Sequence, residues 1–291
     1  MSEAVAALQM SSGSGLDANL HKAGELLAQA ADAGAGLAVL PENFAFMGHS
    51  EHDKLALAEA EGAGRIQDFL AAAAARHGIW IVGGTLPLAG PDSSHVWPAC
   101  LVYDASGRQL ARYDKIHLFD VDLPDSGESY RESDTLLAGS RIQVLDTPVG
   151  RLGLAVCYDL RFPELFRALV DAGAELVTLP SAFTATTGEA HWEPLLRARA
   201  IENQCYMIAA AQCGYHASGR QTWGHSMIVD PWGRVLDEAG REPGPVLATL
   251  DRATLGRIRR QFPSLQHRRQ WHDGDVVGDV NSPPAERSGS K

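Results

Sequence analysis

The sequence predicts an α/β fold built from two similar halves. Short apolar runs alternate with helical stretches, which is the pattern of strand–helix–strand units with parallel strands. A segment also repeats. Residues 32–44 read DAGAGLAVLPENF and residues 171–183 read DAGAELVTLPSAF, sharing Asp, Ala, Gly, Ala, Leu, Leu, Pro and Phe in register. Each copy follows a strand and a helix, so each half begins in the same way.

Residues 5–10 are a short apolar run, read as a strand. Asp17 offers an N-cap to a helix reaching about Asp32, with Leu20, Ala23, Leu27, Ala30 and Ala31 at helical spacing, and Gly34 stops it. LAVLP at residues 37–41 reads as a fully buried strand whose ladder ends at Pro41. A helix covers about 65–77 and stops at Gly78. Strands follow near 79–83, 99–103 and 110–113, the last two joined by a turn at 104–107. Strands at 142–145 and 152–156 flank DTPVG. A helix opens near Pro163, where proline suits the first turn, and ends at Gly173. AELVTLP is again a strand, 189–203 a helix, and 205–211 and 226–229 strands. DPWG at 230–233 reverses the chain, and a last helix begins near Asp251. One domain is expected over 1–275, followed by a polar tail, rich in Pro, Gly and Ser, at 276–291 that is read as mobile.

Composition narrows the function. The chain has 291 residues and a formal charge of -11, which disfavours non-specific binding of nucleic acid. No apolar run is long enough to span a bilayer, and MSEAVAALQM lacks a basic region before its apolar residues, so a cytoplasmic location is expected. Cys100, Cys157, Cys205 and Cys213 form no CxxC pair, which argues against disulfides and a cysteine-based zinc site. The histidines of HSEHD at 49–53 are read as solvated surface, and His191 has no partner at ligand spacing, so no metal is expected.

GLAVCYDLRFPE, residues 153–164, ends an apolar strand on Cys157 and leads into a helix. Strand, nucleophile-type residue, turn and helix is the order of an elbow that presents a nucleophile, and the Tyr158 N–H would face an oxyanion. By position alone, the reading of Cys157 as a small buried residue stands slightly ahead of the nucleophile. Glu42 follows LAVLP directly, where apolar walls are expected to raise its pKa toward that of a useful base. Lys115, in RYDKIHLFDVD, ends a strand and would stabilise an oxyanion, or else is an exposed strand-end lysine. Glu189, His191 and Glu193 lie near a helix start and are caps or substrate contacts. Cys157 ends the first strand of the second half and Glu42 the second strand of the first half. If the halves pack sheet on sheet, both reach one crevice beyond the strands' carboxyl ends.

Together, LPENF, YDKIHLFD and CYDLRFPE resemble the nitrilase superfamily of carbon–nitrogen hydrolases, over about residues 5–271. The resemblance implies a four-layer αββα sandwich, a catalytic triad of Glu42, Lys115 and Cys157, and a homodimer or higher homo-oligomer. It also implies a second glutamate, best placed at Glu132, with Glu128 as the competitor. It calls for no metal or organic cofactor. CYDLRFPEL and TTGEAHWE are similar to the Nit branch. That likeness implies hydrolysis of the terminal amide of a small 2-oxo acid through a cysteine thioester, with release of ammonia. Deaminated glutathione is the first substrate, and 2-oxoglutaramate or 2-oxosuccinamate the alternative. Candidate substrate contacts are Tyr158, Arg161, Phe183, Thr187 and His191, with Arg197 or Arg199 as other partners for a carboxylate. A non-catalytic binding protein on this fold, or an acyl transferase to an amine, are the other readings.

Overall fold

The computed structural model describes residues 4–123 and 127–269, so the 276–291 tail lies outside the described residues. Two mixed sheets carry the halves. In each, three parallel strands are joined through helices: Ala4–Gln9, Leu37–Val39 and Trp80–Val82 in one, Gly150–Leu154, Leu176–Thr178 and Tyr206–Ala209 in the other. The helices between them are Leu16–Asp32 and Arg65–His77 in the first half, and Pro163–Asp171 and Ala185–Asn203 in the second. The repeated DAGA segment therefore plays one role twice, as the helix end that feeds the second parallel strand.

Layering follows from side-chain alternation. Along Ala4–Gln9, Val5 and Ala7 point between the sheets, while Ala6 and Leu8 point to the helices. Both faces are apolar because both are covered. Leu20, Leu27, Ile66 and Leu70 close the first sheet's outer face. Phe166, Leu169, Trp192 and Leu196 close the second's, giving helix, sheet, sheet, helix. Each fully buried Leu or Val contributes about 1.5–3 kcal/mol, so this double layer dominates the stability.

Several elements lie beyond what the sequence signalled. Gly244–Thr249 returns from the second half and pairs antiparallel with Ala4–Gln9 in the first sheet. Polar seams join the halves further. The Gln9 amide donates to the carbonyls of Gly240 and Glu242 (2.8 and 2.9 Å) and accepts from Ser226 N (2.8 Å). Leu86–Ala89 is also a strand, although Pro87 weakens its signal.

Two helix starts differ from expectation. The first helix opens at Gly15, so Asp17 sits inside its first turn, where it favours the helix dipole and pairs with Arg65. The Ala185–Asn203 helix begins four residues before the expected Glu189. Thr184 caps it by accepting from Thr187 N (3.3 Å), and this cap hides just before the loop-like TTG.

Gly84 is where the fold supports the end of the Leu37–Val39 strand. Its φ is +57°, and a Cβ there would meet the Pro41 carbonyl oxygen at 2.1 Å. Gly84→Ala is expected to cost at least about 2 kcal/mol in urea unfolding and to displace Glu42, one residue beyond Pro41. Unchanged stability would contradict this packing.

Candidate active site

The crevice forms where strands of both sheets end. Pro41 has no N–H to continue the ladder, so the chain leaves the sheet and Glu42 follows. Asn43, in the left-handed region at φ 56°, anchors the turn by donating its N–H to Thr85 Oγ1 (2.8 Å). Gln212, from the second half, donates to the Glu42 carbonyl (3.0 Å). Lys115 follows the Gln109–Asp114 strand, held by its N–H on Pro98 O (3.1 Å) and by Gly139 N on its carbonyl (2.8 Å). Glu132 opens the short 3-10 turn Glu132–Asp134.

Lys115 is completely buried. Its Nζ donates to Glu42 Oε1 (2.8 Å) and to both oxygens of Glu132 (3.0 and 2.8 Å). Phe119 N also donates to Glu132 Oε2 (2.8 Å). Glu132 is thus the carboxylate on Lys115, while Glu128 lines a neighbouring cavity. Burial alone would raise the Glu42 pKa, the direction expected from sequence. The Lys115 charge and hydrogen bond reverse it, and Glu42 lies below its ordinary value. Burial likewise opposes charge on Lys115, but Glu132 and Glu42 hold its pKa well above the lysine range.

Cys157 begins the 3-10 turn Cys157–Arg161 with φ 48°, a strained conformation for a residue with a Cβ. Its N–H donates to Pro180 O (2.9 Å), the counterpart of Pro41 in the repeat. Its buried thiol shares the crevice with Glu42, close enough for the carboxylate charge to act on it. Burial, then the Glu42 charge, push the thiol pKa up, against a smaller opposing effect of Lys115. The resting pair is therefore a neutral thiol beside a carboxylate.

Asp159 locks this turn. It is fully buried and accepts from Val156 N (2.8 Å), Tyr113 Oη (2.7 Å), His117 N (3.2 Å) and the His117 ring Nδ1 (2.6 Å). It ties the nucleophile turn of one half to the lysine segment of the other. Asp159 lies inside CYDLRFPE, two residues past the cysteine, so its position is visible in sequence, but its partners are 42 and 46 residues away.

A small, partly open chamber lies at Cys157. Glu42, Glu132, Tyr158, Arg161, Phe183 and Thr187 line it. Arg161 lies over the rings of Phe183 (5.2 Å) and Tyr158 (5.9 Å). Among the described residues, the Tyr158 N–H meets no protein acceptor. His191 is exposed on the helix that starts at Ala185 and is not among the residues lining the chamber, but its Nδ1 accepts from the lining Arg161 Nη1 (3.2 Å). Arg199 is spent on Leu160 O and Glu202, and Arg197 on Gly233 O and Glu193, so neither faces the chamber. Arg220, which no sequence motif marked, completes the wall.

The Lys115 network yields a pH prediction. A carboxyl held below its unfolded pKa adds stability above that value and loses it as pH falls through the folded one. Lys115→Met leaves two buried carboxylates facing each other. It is expected to cost about 3–5 kcal/mol near neutrality, with the gap from wild type narrowing as the pH falls and Glu42 protonates. A gap independent of pH in denaturant titrations would contradict the charge assignment.

The carbon–nitrogen hydrolase family profile matches residues 4–260. A deaminated glutathione amidase of Yersinia enterocolitica is 46% identical over 272 residues, covering 91% of this chain and 92% of the relative. The crystal structure of the Caenorhabditis elegans NitFhit protein superposes with TM-score 0.85 at 41% identity, over 91% of this chain and 65% of that one. Saccharomyces cerevisiae Nit3, a member of branch 10 of the nitrilase superfamily, gives TM-score 0.80 at 31% identity, over 89% of this chain and 94% of that one. With its two-sheet fold and this span of similarity, the chain belongs to the carbon–nitrogen hydrolases of the nitrilase superfamily.

Proposed function

We propose that this hydrolase cleaves the amide of a small 2-oxo acid, deaminated glutathione first, through a thioester on Cys157. One observation carries the reading: a buried cysteine and a buried carboxylate that bonds a buried ammonium meet at the wall of one small chamber. Glu42 takes the thiol proton as Sγ attacks the amide carbonyl carbon. The Tyr158 N–H and Lys115 Nζ receive the oxyanion, and each such donor is worth roughly 3–4 kcal/mol. For Lys115, one of its two bonds to Glu132 loosens as the new one forms. The C–N bond then breaks, and Glu42 gives its proton to the departing nitrogen. Water, deprotonated by Glu42, attacks the thioester. The acid leaves and the thiol regains its proton.

Glu132 orients Lys115 throughout. Arg161 meets the carboxylate of the 2-oxo acid, with Phe183 and Thr187 shaping the wall and His191 steadying Arg161 from outside. The substrate comes from relatives that carry the name deaminated glutathione amidase. Glutathione's γ-glutamyl link is a secondary amide, and deamination leaves that bond intact. The leaving group is then the dipeptide amine, and the ammonia expected from sequence belongs to primary amides such as 2-oxoglutaramate.

The reading includes a homodimer in the cytoplasm. Exposed Ile201, Trp232 and Phe262 supply an apolar patch suited to a second copy, with the Trp232 and Phe262 rings in contact at 5.8 Å. Four free cysteines suit a reducing compartment. Among the described residues no helix is long and apolar enough to cross a membrane.

Cys157→Ala is expected to remove about 10⁴-fold or more of the kcat with the circular dichroism spectrum unchanged. Wild type should show a higher kcat/KM on deaminated glutathione than on 2-oxoglutaramate. Full activity in the variant would overturn the mechanism, and the reverse order of substrates would overturn the substrate. Mass spectrometry with added amines should detect only the acid.

A further inference from the structure

Beside the chamber lies a second, wider and open cavity of about 430 Å³, with Met47, His49, Lys54, Glu128 and Tyr130 in its wall. Arg220 lines both spaces. It sits at the end of a turn closed by His216 N on Arg220 O (2.9 Å) and Gly219 N on His216 O (2.9 Å), just before the Gln221–Trp223 strand. His216 anchors that turn. Its Nδ1 donates to Ser12 O (2.8 Å), and its Nε2 accepts from Thr222 Oγ1 (2.7 Å).

Lys54, also in the wall of this cavity, pairs with Glu51 at 2.5 Å. Arg220 differs. Its Nη2 donates to Ala182 O and its guanidinium lies 4.9 Å above the Tyr130 ring, yet its buried Nε meets no acceptor. Among the described residues it forms no ion pair with a carboxylate. A fork fixed on a ring, with an unused buried N–H, is suited to planar recognition of a carboxylate.

We infer that Arg220 and the wider cavity form a leaving-group subsite, which takes an amine bearing a carboxylate one dipeptide away from the scissile bond. This rests on the proposed amidase reading and adds to it a direction: acyl part in the narrow chamber toward Arg161, leaving amine outward past Arg220. Two residues span about 7 Å, which is how far the terminal carboxylate of a dipeptide leaving group stands from the scissile bond. Ammonia, which leaves from a primary amide, has nothing to place there.

The test compares deaminated glutathione with the same compound capped as a C-terminal carboxamide. In wild type the free acid should have the higher kcat/KM, by about 10-fold or more, mainly through KM. In Arg220→Met that ratio should fall to near one. Arg220→Lys, which keeps the charge and loses the fork, should lie between them and covers the case in which the methionine variant does not fold. A wild-type ratio near one overturns the subsite, as does a ratio unchanged in Arg220→Met, or one abolished instead by Arg161→Met. A wild-type enzyme that turns over 2-oxoglutaramate but neither tripeptide overturns the substrate reading itself.

Discussion

Everything at this site depends on one ammonium held between two carboxylates inside the protein. Lys115 is completely buried, and its Nζ touches only Glu42 and Glu132 among charged partners at bonding distance within the described residues. An ion removed from water is costly, and its attraction to partners repays that cost only when every donor is used. At Lys115 every donor is used. The arrangement is therefore better understood as a device for position and charge than as a source of stability. It fixes Glu42 as an anion next to a thiol that burial keeps protonated.

The fold exists, in this sense, to bring three strand ends together. Glu42 and Lys115 belong to the first half and Cys157 to the second. The sheets must pack face to face before the triad exists. Two further links hold the halves in register at this point. Asp159 reaches across to Tyr113 and His117, and Gln212 reaches back to the Glu42 carbonyl. The returning strand Gly244–Thr249 closes the first sheet with chain from the second half. The strain stored at Cys157, with its positive φ, is borne by this surrounding network.

Much of this is legible in sequence, for reasons that can be stated. Apolar runs of the parallel strands, Gly78 at a helix end and Asp251 at a helix start speak through local chemistry, and they appear where local chemistry puts them. The repeated DAGA segment points to the two halves. Lys115 next to Glu42 is less accessible, because 73 residues separate them and only the fold joins them. The Glu42 shift runs opposite to the sequence expectation for the same reason. Burial is a local inference from apolar neighbours, whereas the opposing ammonium arrives from a distant strand. Arg220 is invisible in sequence. A lone arginine after a Ser-Gly turn looks like surface, and only the Ala182 carbonyl and Tyr130 ring show it to be part of a wall.

The central claim is that the resting enzyme holds a thiol and a carboxylate and forms the thiolate only as substrate is attacked. Its most direct measurement is the ultraviolet thiolate absorbance of wild type minus that of Cys157→Ala, followed as pH rises. The expected result is no difference near neutral pH, and a thiolate only in a range more alkaline than an ordinary cysteine requires. A thiolate signal already complete at neutral pH would show a preformed ion pair, and would contradict Glu42 as the base that takes the Cys157 proton during attack.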